Sequence, residues 1–189
     1  MEGIIERFSA TVPPEKMAEM KETISRMPAL LLVLYTFVQG VVLGTTVNAL
    51  PAFGEELGWR GMMLTGMKQM KLLPASLIIG MVWGIWHFPL ILMGHNYPEH
   101  SVIGVFMMTA FCTLLSPLMC YVTLKSRSVI AAAVMHGTLN GTAGVSLMVL
   151  KGGNDLLIGM PGLAGMSVIA LVTAAVFIAD RYWLKENIF

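Results

Sequence analysis

The sequence predicts an all-α fold, a polytopic bundle of about five or six membrane helices, on three observations. Hydrophobic residues make up 56% of the 189 residues and charged residues only 12%, about half the charged share of an ordinary soluble domain. The charges are unevenly spread. Nine lie within the first 26 positions, and between Met27 and Leu150 only Glu55, Glu56, Arg60, Lys68, Lys71, Glu99, Lys125 and Arg127 carry one. The rest falls into uncharged stretches long enough to cross a bilayer core of about 30 Å, which takes roughly 20 residues of helix. Too few charges remain to coat a soluble enzyme, to keep a chain disordered or to present a basic face to nucleic acid. Those classes are excluded, and the lipid bilayer is the first partner.

Residues 1–27 form a mixed-charge segment. Glu15, Lys16, Glu19, Lys21 and Glu22 read as an amphipathic lead-in at the membrane interface. The segment lacks the apolar centre and small-residue cleavage site of a secretory signal. Residues 28–189 are expected to be one membrane-embedded domain, with uncharged stretches at 28–53, 74–93, 101–124, 128–150 and 159–179. Each is expected to be helical, because a lone strand leaves its backbone groups unpaired in hydrocarbon. Pro28, Pro74 and Pro161 sit at or near segment starts, where a missing N–H costs nothing. The stretch 28–67 is too long for one simple crossing and too short for two. Pro51 and Gly54 suggest a break within it, followed by a short helix over 55–67.

Lys68 and Lys71, then Lys125 and Arg127, then Arg181 and Lys185 flank alternate connections. The 94–100 loop has no basic side chain except histidine, and 151–158 has only Lys151. Basic loops stay in the cytoplasm, so the chain is expected in the cytoplasmic membrane with its C-terminus inside. Cys112 and Cys120 both fall in an apolar stretch and read as buried fillers. His95 and His100 read as members of a solvated loop.

Ionisable groups inside spans cost about 2.5–3.5 kcal/mol each on insertion scales, which makes them functional candidates unless paired or interfacial. Three clusters stand out. In Gly54-Glu55-Glu56-Leu57-Gly58-Trp59-Arg60-Gly61, Glu56 and Arg60 are four apart on one helix face, acid first, the better order for an ion pair. Glu55 is turned about 100° away, so one carboxylate can hold structure while the other transfers protons. In Trp83-Gly84-Ile85-Trp86-His87-Phe88-Pro89, Pro89 perturbs the helix just upstream and can leave room for a wet cavity. Alone, His87 reads first as an interfacial residue with its N–H satisfied. In His136-Gly137-Thr138-Leu139-Asn140, the histidine and asparagine point the same way. Ala131, Ala132, Ala133, Gly137, Gly141 and Gly144 nearby also permit plain close helix packing. Together the clusters make a parts list for amide hydrolysis: a carboxylate and a histidine to deprotonate water, a histidine and an amide to hold an oxyanion.

These three motifs resemble the CAAX prenyl protease and bacteriocin-processing family of intramembrane proteases, the CPBP or ABI proteins. Its pattern is Glu-Glu-x-x-x-Arg, then aromatic-x-x-x-His, then His-x-x-x-Asn, matched here over about residues 50–145 in order and spacing. The resemblance implies an intramembrane endopeptidase of glutamate type that cleaves a membrane-associated or lipidated protein near its C-terminus. It implies that Glu55 and His87 activate water, that His136 and Asn140 bind the oxyanion, and that Glu56 and Arg60 organise the site. Trp83 stands where the family commonly has phenylalanine. Family members usually carry further membrane helices before the Glu-Glu motif, whereas one apolar segment precedes it here.

No cofactor is required on this reading. The alternative within the enzyme class is zinc held by Glu55, His87 and His136, a His₂Glu set with one position open for water, although the His-Glu-x-x-His spacing of many zinc proteases is absent. The alternative outside it is a non-catalytic immunity or scaffold protein of the same fold.

Overall fold

The computed structural model describes residues 13–26, 28–150, 152–185 and 188, and in it the uncharged stretches are helices. They are α1 (Pro14–Arg26), α2 (Ala29–Gly66), α3 (Leu72–Trp86), α4 (Phe88–Leu92), α5 (Ser101–Ser126), α6 (Val129–Thr142), α7 (Val145–Val149) and α8 (Leu163–Leu184). No strand occurs among the described residues. Helices α2, α5 and α8 are each long and apolar enough to cross a membrane, and α3 is a shorter apolar helix. Leu30, Leu34, Phe106 and Leu171 lie on their outer faces, exposed, as befits a surface whose solvent is hydrocarbon. The chain is an integral membrane protein. Lead-in residues 1–12 and 27, and Lys151, lie outside the described residues; Pro14–Arg26 is helical, with Glu15 and Lys16 exposed and Met17 buried.

The break expected at Pro51 and Gly54 does not occur. Helix α2 runs through both, 38 residues long, because it loosens instead of stopping. Gly44–Asn48 and Leu57–Met63 are π-helical turns, and such a turn absorbs a mismatch in the backbone ladder. Two side chains serve carbonyls near the first: the Thr45 hydroxyl donates to the Val41 carbonyl at 2.9 Å and the Thr46 hydroxyl to that of Val42 at 2.6 Å.

Two expected spans are broken instead. The 74–93 stretch divides into α3 and α4, with His87 at the corner. Pro89 has no N–H and its ring crowds the carbonyl four residues back, so α3 ends at Trp86 and the His87 N–H turns to the Gly84 carbonyl at 3.1 Å. The 128–150 stretch divides into α6 and α7.

Glycines set how closely the helices approach. Gly40 and Gly44 on α2 meet Gly137 and Gly141 on α6, two small-xxx-small faces crossing each other. A Cβ on Gly40 would lie 2.5 Å from the Gly141 carbonyl oxygen, and one on Gly44 would lie 2.6 Å from Thr138 Cα. Gly80 on α3 meets α5 in the same way, 2.6 Å from Thr113 Cα. The bundle core, with Trp83, Met108, Phe111, Cys112, Leu115 and Met119, forms at the second crossing. Cys112 and Cys120 are buried and free, the fillers expected of them.

The loops after α4 and before α8 are clasped together. Buried Tyr97 donates its hydroxyl to the Pro161 carbonyl at 2.6 Å, and burial pushes its phenol above the ordinary range, so it remains a donor. The Glu99 N–H donates to Asp155 Oδ2 at 2.7 Å and His100 Nδ1–H to Asp155 Oδ1 at 2.6 Å. His95 is exposed in this loop, but His100 is engaged by a buried carboxylate and not simply solvated.

Replacing Gly141 by leucine is expected to force α2 and α6 apart and to destabilise the bundle by about 1–3 kcal/mol or more, read from the thermal midpoint in detergent. Gly144→Leu, at a position with nothing within 4 Å of the added Cβ, should leave that midpoint nearly unchanged.

Candidate active site

Glu55, His87, His136 and Asn140 line one cavity of about 390 Å³. They arrive there from α2, the α3–α4 corner and α6. The rest of the wall is mainly apolar, with Leu90, Met108, Phe111, Leu115, Leu139 and Met160. His95 and Asn96 reach the same space from the clasped loop, a contribution that loop composition alone did not signal.

The supporting layer begins with Glu56, which is fully buried. Arg60 Nη1 lies 3.0 Å from its Oε2 and 3.1 Å from Oε1, with the hydrogen bond directed at Oε1; the spacing-based pair is present. His136 Nδ1 also lies 2.9 Å from Glu56 Oε1. A carboxylate accepts, so Nδ1 carries the hydrogen and the ring's remaining atom is Nε2. Arg60 spends its other arm on Ser116, Nη2 donating to Oγ at 3.2 Å, and stacks its Cζ 4.6 Å above the Trp83 ring. The serine on α5 is a site neighbour that nothing in the sequence pattern marked.

Glu55 is half-buried and stands apart from the ion pair. Its one hydrogen bond among the described residues comes from Trp83, whose Nε1–H donates to Oε2 at 3.0 Å. His87 Nδ1 sits 2.9 Å from the Trp83 carbonyl. That partner only accepts, so Nδ1 is the protonated nitrogen and Nε2 is left with its lone pair in the neutral ring. Trp86 and Trp83 flank His87 with ring centroids at 5.0 Å and 5.8 Å. Asn140 is exposed on the cavity wall, and its side chain makes no hydrogen bond among the described residues.

This arrangement suits water attack on a carbonyl: a carboxylate with one oxygen held, an imidazole lone pair, and a second imidazole and an uncommitted amide across the cavity. It suits zinc less well. Among the described residues, the set of three metal-ligating atoms lying within 4.8 Å of one another is Glu99, His100 and Asp155 in the loop clasp, not Glu55, His87 and His136. Both oxygens of Asp155 already have partners there.

Removing Arg60 while leaving Glu56 buried is expected to be costly. Arg60→Met should lower unfolding stability by about 3–5 kcal/mol, the range for breaking a buried pair. The double variant with Glu56→Gln should recover much of the loss in the same unfolding measurement.

The family model described as Type II CAAX prenyl endopeptidase Rce1-like matches residues 27–142. The CAAX prenyl protease 2 of Methanococcus maripaludis is 30% identical over 146 residues, which cover 74% of this chain and 50% of that protein. The chain thus spans about half the length of the curated relative it matches. No solved structure matches it significantly.

Proposed function

The chain belongs to the Type II CAAX prenyl endopeptidase Rce1-like family, and from that premise we propose that it is a glutamate-type intramembrane endopeptidase. The observation that carries the proposal is the meeting of Glu55, His87, His136 and Asn140 on one cavity wall.

Glu55 is the general base and His87 Nε2 orients the water by accepting its second hydrogen. The water oxygen bonds to the peptide carbonyl carbon as its proton passes to Glu55. The resulting oxyanion takes hydrogen bonds from Asn140 Nδ2–H and from His136 Nε2–H. That second donor needs a hydrogen on His136 Nε2 in addition to the one on Nδ1 that faces Glu56. Glu55 then hands the proton to the amide nitrogen as the C–N bond breaks, leaving a carboxylic acid and an amine; the acid's remaining proton passes to the amine, and the products part as carboxylate and ammonium. Glu56 and Arg60 organise the site and touch no reacting atom.

The substrate is a membrane-associated or lipidated protein cut near its C-terminus. The family's name supports a prenylated CAAX end, and the apolar wall supports hydrophobic side chains beside the scissile bond. The chain is placed in the cytoplasmic membrane with the C-terminus inside, on the charge of the loops. A reporter enzyme fused at the C-terminus should show cytoplasmic-type activity; periplasmic-type activity there reverses the orientation.

Glu55→Gln in purified protein should abolish cleavage of a prenylated C-terminal peptide, a loss of about 10²–10⁴-fold; undiminished turnover ends the proposal. Asn140→Ala should lower kcat by about 10²–10³-fold with KM nearly unchanged. The zinc alternative, with Glu55, His87 and His136 as ligands, predicts stoichiometric zinc by elemental analysis and chelator-sensitive activity that zinc restores. The glutamate reading predicts neither. The scaffold alternative predicts that a Glu55→Gln protein rescues a deletion phenotype.

A further inference from the structure

We propose that Trp83 is a positioning residue for the site, its indole N–H holding one oxygen of Glu55 so that the other is the base. The inference rests on the glutamate reading above and adds which residue sets the base in place.

Trp83 is only 2% exposed and sits in the main core cluster, packed from α3 against α5, so its ring has little freedom to move. From that fixed position it touches Glu55, His87, His136 and Arg60. Its Nε1–H donates to Glu55 Oε2 at 3.0 Å. Its carbonyl accepts from His87 Nδ1–H at 2.9 Å. Its ring lies edge-on to His136 with centroids 5.3 Å apart, and its face carries the Arg60 guanidinium at 4.6 Å. A cation on the face of an aromatic ring is attracted by the π-electrons. The polarisation that follows draws density from the indole and makes its N–H a better donor.

The consequence is geometric. A carboxylate on a helix rotates about its last bond, and one tethered oxygen removes that freedom. With Oε2 engaged, Oε1 is the oxygen left to take the proton of the attacking water. An aromatic residue serving only to fill space needs no N–H. Here the N–H points at the one carboxylate of the pair that Arg60 does not neutralise.

Trp83→Phe keeps an aromatic ring and removes the donor. It should lower kcat by about 10- to 100-fold, the worth of a hydrogen bond to a charged group, with KM nearly unchanged and the thermal midpoint close to that of the parent. Wild-type kcat in this variant, or a fall that tracks a lower midpoint, overturns the proposal. A second measurement does not depend on turnover. In protein labelled with ¹⁵N-tryptophan, the indole N–H resonance lost in Trp83→Phe identifies Trp83, and Glu55→Gln should shift it because the acceptor loses its charge. An unmoved resonance overturns the proposal even if Glu55→Gln is inactive. A shifted resonance with undiminished Glu55→Gln cleavage instead sinks the glutamate reaction and leaves the Trp83–Glu55 contact standing.

Discussion

One buried carboxylate organises this membrane domain. Glu56 is wholly out of solvent, and a carboxylate so placed costs several kcal/mol unless strongly partnered. Arg60 from its own helix and His136 from α6 provide that partnership. The arginine comes with the local spacing. The histidine is present only if α6 lies directly against α2, so the charge and the helix crossing require each other. Gly40 and Gly44 against Gly137 and Gly141 supply the approach, since any side chain there would push His136 out of reach. The catalytic reading depends on this pairing, because His136 bound to Glu56 brings Asn140, one turn further on, to the cavity that Glu55 also faces.

A division of labour between adjacent glutamates follows from helix geometry. Successive residues point about 100° apart, which turns Glu56 into the ion network and Glu55 toward the cavity. Arg60 then serves two masters, pairing with Glu56 while stacking on the indole that holds Glu55. The π-turn at Leu57–Met63 carries this arginine, in keeping with the tendency of such turns to occur at functional sites.

Much of this was legible in the amino acids. Charge scarcity and run length foretold the helices, Pro89 foretold the disturbance at His87, and the four-residue spacing foretold Glu56 with Arg60. Gly137 and Gly141 were recognisable as a packing face, though their partners Gly40 and Gly44 were not, because nothing local says which helix will cross. The Glu56–His136 and Trp83–Glu55 contacts join residues 80 and 28 positions apart and carry no pattern of their own. Pro51 misled because a proline reads as a stop, whereas here a π-helical turn at Gly44–Asn48 lies just before it and the helix continues through both. His100 misled because loop composition reports solvation, while the buried Asp155 of the clasp holds its ring; His95 is exposed as expected and also reaches the cavity.

The most direct test of the central claim is a double-mutant cycle on unfolding stability, with Glu56→Gln, His136→Gln and the pair together. If the buried carboxylate ties α6 to α2, the two substitutions are coupled by about 1–3 kcal/mol. Effects that add within about 0.3–0.5 kcal/mol, the margin for independent sites, would mean that Glu56 does not hold His136, and the convergence of the site would lose its physical cause.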